Sequence, residues 1–324
     1  MAATPASKSS SSDPRRRNPM QRRNFLQGMT ALGAAAGLPL GARAASKAAY
    51  DPSAKFELRV SEVPFRKNSA GRQLMARIYQ PQGAGPFATL LDLHGGAWQR
   101  KDRKAEEPMD RAIAASGVLV VAIDMTISGE APYPACIQDA SYGVRWLKAH
   151  AREWKGDSST LGIYGSSSGG HVAELIAMRP NDARYNALPL EGDTTVAYVA
   201  TRSPISDPYA RWQQAERKPN PNLVQASKTF FQPWETIHEG NPLEILERKE
   251  PVVLRPLLIM QGELDDNVLP EVQAKFAKAY RAAGGDCQYE LFAGSEHEWV
   301  AEPGPQTTRA HEMVKAFIAR QLAA

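Results

Sequence analysis

From residue 56 onward the apolar positions fall into two recurring patterns. Phe56 to Val63 and Gln73 to Tyr79 alternate apolar and polar side chains, which predicts an antiparallel opening pair of strands with one face towards a core. The character then changes. Ala88 to Leu93 and Val118 to Ile123 are continuous apolar runs, as a strand covered on both faces requires. Leu161 to Tyr164, Val196 to Ala200, Pro256 to Met260 and Gln288 to Phe292 read as further strands. Between them, helical spacing marks Glu107 to Ala115, Ala135 to Trp154, His171 to Met178, Val272 to Ala283 and Thr308 to Leu322. This alternation predicts an α/β fold with one mostly parallel, doubly wound sheet. Residues 204–250 break the pattern with prolines and the aromatics Tyr209, Trp212, Phe230, Phe231 and Trp234. An insertion of that length between strands is usually functional, so a cap or lid is expected there; a peripheral decoration packing its own aromatics is the plain alternative.

Composition adds little to that picture, and charge adds more. The chain has 324 residues, 43% of them hydrophobic, with two cysteines, which excludes a disordered, collagen-like or disulfide-dense protein. A net charge of +4 invites a polyanion partner until its location is traced. Residues 1–44 hold seven basic side chains against one acidic, so residues 45–324 carry a net −2. After Arg23 no charge appears until Arg43, and the chain then reaches Ala42-Arg43-Ala44, a small-x-small site suited to signal peptidase. Arg22-Arg23-Asn24-Phe25-Leu26-Gln27 resembles the twin-arginine export motif, with Gln27 in place of the usual lysine. Gly28, Gly33, Gly37, Gly41 and Pro39 interrupt the apolar stretch, so a cleaved signal over 1–44 is expected rather than a retained anchor. A linker over 45–55 and one folded domain over 56–324 follow. The expected location is periplasmic or secreted, with the twin-arginine machinery as partner of the precursor and no nucleic-acid partner. Cys136 and Cys287 are expected to be free thiols.

The strongest chemical signal is Gly165-Ser166-Ser167-Ser168-Gly169, in which only Ser167 satisfies G-x-S-x-G. It follows an apolar strand and precedes an amphipathic helix, the context in which a sharp turn exposes a nucleophile at a helix N-terminus. A second signal, His94-Gly95-Gly96-Ala97-Trp98, also follows a strand, and its glycines let backbone N–H groups turn inward.

With these motifs the sequence resembles the carboxylesterase branches of the α/β-hydrolase superfamily, those related to hormone-sensitive lipase and to bacterial acetyl and feruloyl esterases. The resemblance covers nearly all of residues 56–322. Pro132-Tyr133-Pro134-Ala135, Asp139-Ala140 and Trp146 resemble the family's helix after the strand that follows the oxyanion loop, whereas Ala97 stands where the HGGG form has its third glycine. The resemblance implies an oxyanion hole made by the amides of Gly96, Ala97 and Ser168. It also implies the chain order serine, acid, histidine. Gly262-Glu263-Leu264-Asp265 with Val268 then nominates Asp265 as the acid, with Asp266 as its neighbouring rival, and Gly294-Ser295-Glu296-His297 nominates His297 as the base.

The function this implies is a serine carboxylesterase for small or aryl esters, polysaccharide acetyl or feruloyl esters included, with no cofactor and no metal. An arylformamidase is the nearest enzymatic alternative, because HGG-x-W motifs occur there too. A binding module of the same fold without catalysis is the alternative from another class. Trp98, Tyr133 and Trp299 are expected to wall the substrate pocket. His94 is expected to bond backbone in its loop, His171 to pack, and His150, His238 and His311 to lie at the surface.

Overall fold

The computed structural model describes residues 50–323. The predicted signal, 1–44, and residues 45–49 of the linker lie outside them. The chain order is β1 (Leu58–Lys67), β2 (Gln73–Pro81), β3 (Phe87–Leu93), α1 (Glu107–Ala115), β4 (Val118–Ile123), α2 (Ala135–His150), β5 (Gly156–Ser166) and α3 (Ser168–Met178). After β6 (Val199–Arg202) come four short helices, α4 (Pro208–Arg217), α5 (Pro221–Phe230), α6 (Thr236–Glu239) and α7 (Pro242–Glu247). The order closes with β7 (Leu257–Gly262), α8 (Pro270–Ala282), β8 (Cys287–Phe292) and α9 (Pro305–Ala323).

The strands form one eight-stranded sheet in the order β1-β2-β4-β3-β5-β6-β7-β8. The pairs β1–β2 and β2–β4 are antiparallel, and every pair from β4 to β8 is parallel. Strand β4 shows why its sequence is apolar throughout. Val118, Val120 and Ala122 join a core with α1 and α9 on one face, while Leu119, Val121 and Ile123 join a core with α2, α3 and α8 on the other. Each of these valine, leucine and isoleucine side chains removed from water contributes roughly 1.5–3 kcal/mol before ordering costs are subtracted.

Three element boundaries differ from the sequence reading. Strand β6 begins at Val199 and runs to Arg202, beyond the apolar run, because its register is set by Ile163↔Val199 through Ser166↔Arg202 on one side and by β7 on the other. Helix α2 ends at His150 and passes through a single 3₁₀ turn, closed by Lys155 in the left-handed region at φ 61°. Strand β5 starts earlier than its apolar core, at Gly156, which pairs with Phe87. Cys136 and Cys287 are both buried and unpaired. Burial pushes the Cys287 thiol up to about 12, and that of Cys136 higher still.

Candidate active site

The sheet delivers its chemistry at the C-terminal ends of β3, β5 and β7 and just after β8. Ser167 sits between β5 and α3 with φ 52° and ψ −117°, a conformation that L-residues rarely adopt. Its backbone is clamped on both sides: its N–H donates to Arg202 O at 2.8 Å, and its carbonyl accepts from His171 N at 3.1 Å and Ile205 N at 3.2 Å. The flanking glycines are sterically required. A Cβ on Gly169 would lie 1.9 Å from Leu93 O, and one on Gly165 would lie 2.6 Å from Gly169 O.

Ser167 Oγ lies 3.0 Å from His297 Nε2, and His297 Nδ1 lies 2.8 Å from Asp265 Oδ2. Asp265 is 2% exposed. Its Oδ2 also accepts from Gln261 Nε2 at 3.0 Å, and its Oδ1 accepts from the backbone N–H groups of Asn267 and Val268 at 3.0 and 2.8 Å. Burial by itself raises this carboxyl's pKa. Hydrogen bonding and charge attraction from His297, with the Val268 amide, outweigh burial and hold it below the ordinary carboxylate value. Asp266 points elsewhere, pairing with Lys218 at 2.9 Å on the surface. The bond from Asp265 selects the His297 tautomer with hydrogen on Nδ1, leaving Nε2 free to accept a proton from Ser167.

The loop after β3 turns through three consecutive positive-φ residues, Gly96 at φ 107°, Ala97 at φ 54° and Trp98 at φ 61°. A Cβ on Gly96 would stand 2.0 Å from Arg100 O, so glycine is needed there, whereas Ala97 accepts the strain. The loop is fastened to α3 by Trp98 N donating to Ser168 Oγ at 3.2 Å. Among the described residues, the N–H groups of Gly96, Ala97 and Ser168 donate to no protein acceptor. His94 braces the same loop: its Nδ1 lies 2.8 Å from Gly95 O and its Nε2 accepts from Met125 N at 3.4 Å. His171 is fully buried, accepting from Trp98 Nε1 at 3.3 Å through Nδ1 and bonding Gly240 O at 2.7 Å through Nε2. Burial lowers its pKa to about 4, so it stays neutral and structural.

The expected pocket walls are corrected by the structure. Trp98 is buried, stacked on Phe230 with centroids 4.5 Å apart. Tyr133 is buried with its hydroxyl on Tyr185 and Glu239, at 2.9 and 3.0 Å. Trp299 packs against Phe292 over the opposite core, with centroids 5.0 Å apart. Aromatic size draws all three into packing. The cavity that opens on His297 has a volume of about 370 Å³ and is lined mainly from α4, α5 and the turn between them, with Arg100, Arg211, Lys218 and Asn267 among its polar walls. His311 is likewise half-buried, not a surface residue.

Sequence reasoning missed the support beneath the base. Arg202 is fully buried, and its guanidinium donates to the backbone carbonyl of His297 and to Ser166 Oγ, the latter at 2.8 Å. Ser166 Oγ in turn donates to Glu106 Oε1 at 2.6 Å, and Glu106 faces Arg202 at 3.4 Å. This buried ion pair ties the His297 loop to the strand that leads into Ser167. No local motif announces it, because its members come from three distant segments.

The profile of the BD-FAE family matches residues 77–280, well over half of the chain. The chain belongs to the BD-FAE family. As a BD-FAE protein it is 34% identical over 196 residues to a probable carboxylic ester hydrolase, LipM of Mycobacterium tuberculosis, a match covering 59% of this chain and 44% of that one. Esterase LipC of the same organism is 25% identical over 245 residues, covering 72% of this chain and 58% of its own. The chain spans about half the length of the curated relatives it matches. Its α/β-hydrolase fold is shared with an esterase from Thermogutta terrifontis bound to propionate, at a TM-score of 0.64 and 21% identity, covering 82% and 94% of the two chains. A carbohydrate esterase from gut microbiota, in truncated form, superposes at 0.65 with 19% identity, covering 84% of this chain and 99% of that one. Residues 19–39 match the twin-arginine translocation signal sequence, so this BD-FAE protein is addressed for export across the membrane, to the periplasm or beyond. Among the described residues no helix is long and apolar enough to cross a membrane.

Proposed function

We propose that this protein is a serine carboxylesterase that hydrolyses small or aryl esters through an acyl-enzyme. The observation that carries the proposal is the unbroken hydrogen-bonded line Ser167 Oγ–His297–Asp265, at 3.0 and 2.8 Å. Ester-hydrolysing relatives support the same reaction class. In this reading His297 Nε2 takes the proton of Ser167 as its oxygen attacks the ester carbonyl. Asp265 orients the imidazole and stabilises the cation that forms. The free amides of Gly96, Ala97 and Ser168 receive the charge that develops on the carbonyl oxygen, an effect worth a few kcal/mol per donor. The alcohol leaves with the proton held on His297, and water activated by the same nitrogen releases the acid. Residues 204–250 act as a cap in this account, because α4, α5 and the turn between them supply most of the cavity wall above His297. Acetyl and feruloyl esters of polysaccharides are specific substrates to include in a panel, and removal of the signal after Ala44 gives the form to assay.

Hydrolysis of p-nitrophenyl acetate by the wild type and by Ser167→Ala tests the proposal. Loss of at least about 10³-fold in kcat is expected, the scale on which triad members act. A Ser167→Ala protein that keeps most of its turnover would overturn it.

A further inference from the structure

Among the described residues, two arginines of the cavity above His297 have no ion-pair partner. Arg211, on α4, is 4% exposed. Its Nε donates to Asn267 Oδ1 at 2.9 Å, but both terminal nitrogens are buried without a protein partner. Its guanidinium lies over the Trp98 ring, 5.6 Å from the centroid. Burial lowers its pKa, opposed by the charge of Asp265 and reinforced by Arg100, only to about 10, so it remains a cation at neutral pH. Arg100 lines the same cavity and its guanidinium makes no hydrogen bond or ion pair among the described residues. The acidic groups nearby are committed elsewhere. Asp266 pairs with Lys218 at 2.9 Å, Glu298 with Lys101 at 3.0 Å, and Asp265 with His297. Burying a guanidinium and leaving its forked donors unmatched is costly, so such a group calls for a partner: a ligand, an ion or ordered water.

We propose that Arg211, seated by Asn267 and backed by Arg100, is an anion subsite beside Ser167 and His297, and that the preferred ester carries a carboxylate on its acyl or its alcohol part. The inference deepens the serine-esterase reading and rests on it. A planar guanidinium fork matches a carboxylate through two parallel hydrogen bonds. His297 and Arg211 line one cavity, so one small molecule can present its ester to Ser167 and its carboxylate to Arg211 together. Arg211 touches the substrate away from the bond that breaks, which makes it a specificity residue whose effect falls on KM.

The test compares esters matched in size and differing in charge: mono-p-nitrophenyl succinate with p-nitrophenyl pentanoate, and 4-acetoxybenzoate with its methyl ester. At low salt, kcat/KM should favour the anionic member of at least one pair by about 10- to 100-fold, the scale of a charge-assisted hydrogen bond. In Arg211→Gln that preference should collapse, mainly through KM, and Arg211→Lys should keep part of it. The ratio cancels any general loss caused by disturbed packing, and Arg211→Lys covers the case in which Arg211→Gln does not fold. Equal use of both members by the wild type, or a preference unchanged by either substitution, would overturn the proposal. Calorimetric titration of Ser167→Ala with the same compounds separates the subsite from the chemistry. Arg211-dependent binding of the anionic esters, with no hydrolysis by the wild type, would keep the subsite and sink the esterase reading. Hydrolysis without charge preference would do the reverse.

Discussion

Ser167 is held at a φ of 52°, where an ordinary side chain costs about 1–3 kcal/mol relative to a relaxed backbone. That strain aims the hydroxyl at His297, and three backbone hydrogen bonds hold the residue against relaxing. The strain is measurable apart from the chemistry. Ser167→Ala removes the hydroxyl and keeps the conformational penalty; Ser167→Gly removes both. Chemical denaturation should find Ser167→Gly more stable than Ser167→Ala by about 1 kcal/mol, once the greater freedom of unfolded glycine is subtracted. Equal stabilities would mean that the turn is unstrained. At this scale the sequence was legible wherever a residue's role is enforced locally. Gly165, Ser167 and Gly169 announce themselves because no bulkier neighbour fits the turn. Arg202 and Arg211 were not legible, because a buried charge acquires its meaning from partners that the chain brings in from elsewhere.

Between elements, the packing of α1 on β3 contains an unresolved electrostatic conflict. Asp92 on β3 and Asp110 on α1 are both fully buried, and their carboxyl oxygens have no hydrogen-bond partner. Burial raises both pKa values well above the ordinary carboxylate value. Glu106 adds to the effect on Asp92, and Asp92 adds to that on Asp110. Because the folded values exceed the unfolded ones, the unfolded chain gives up these protons first. Stability therefore falls as pH rises from the ordinary carboxylate range towards the raised folded values. Asp110→Asn removes one titrating member. It should raise Tm at pH 8 by roughly 3 °C, a shift equivalent to about 1 kcal/mol for a domain of this size, and by less at pH 4. A gain that does not depend on pH would contradict the assignment. Asp265 carries the opposite sign: its lowered value stabilises the fold above the unfolded carboxylate pKa, and that contribution disappears as pH falls through the folded value. The elements themselves were read well where apolar periodicity is dense, as in α1 and β4. Strand β6 was misplaced because pairing with β5 and β7 carries it through Arg202, a residue that hydrophobic patterning rejects. The walls of the cavity were misread for a related reason: Trp98, Tyr133 and Trp299 are drawn into packing, and polar residues of α4, α5 and the turn between them face the opening.

For the whole molecule, the positive charge belongs to an address and not to a binding surface. The +4 of the chain combines a +6 segment over residues 1–44 with a body of −2, and the segment contains the twin-arginine match. The twin-arginine route carries folded cargo, which suits a body whose proposed nucleophile and base, Ser167 and His297, come from turns over a hundred residues apart. Replacing Arg22 and Arg23 together by lysine should leave folding intact and confine the protein to the cytoplasm. Cell fractionation reads this directly, and undiminished export of the double variant would contradict it. The central claim for the exported body is that Ser167 is an activated nucleophile. The most direct measurement is mass spectrometry after treatment with a fluorophosphonate. The account predicts one covalent adduct, on the peptide containing Ser167, forming in step with loss of ester hydrolysis and abolished in His297→Ala. An active protein that stays unmodified, or is modified at another residue while turnover is lost, would contradict it.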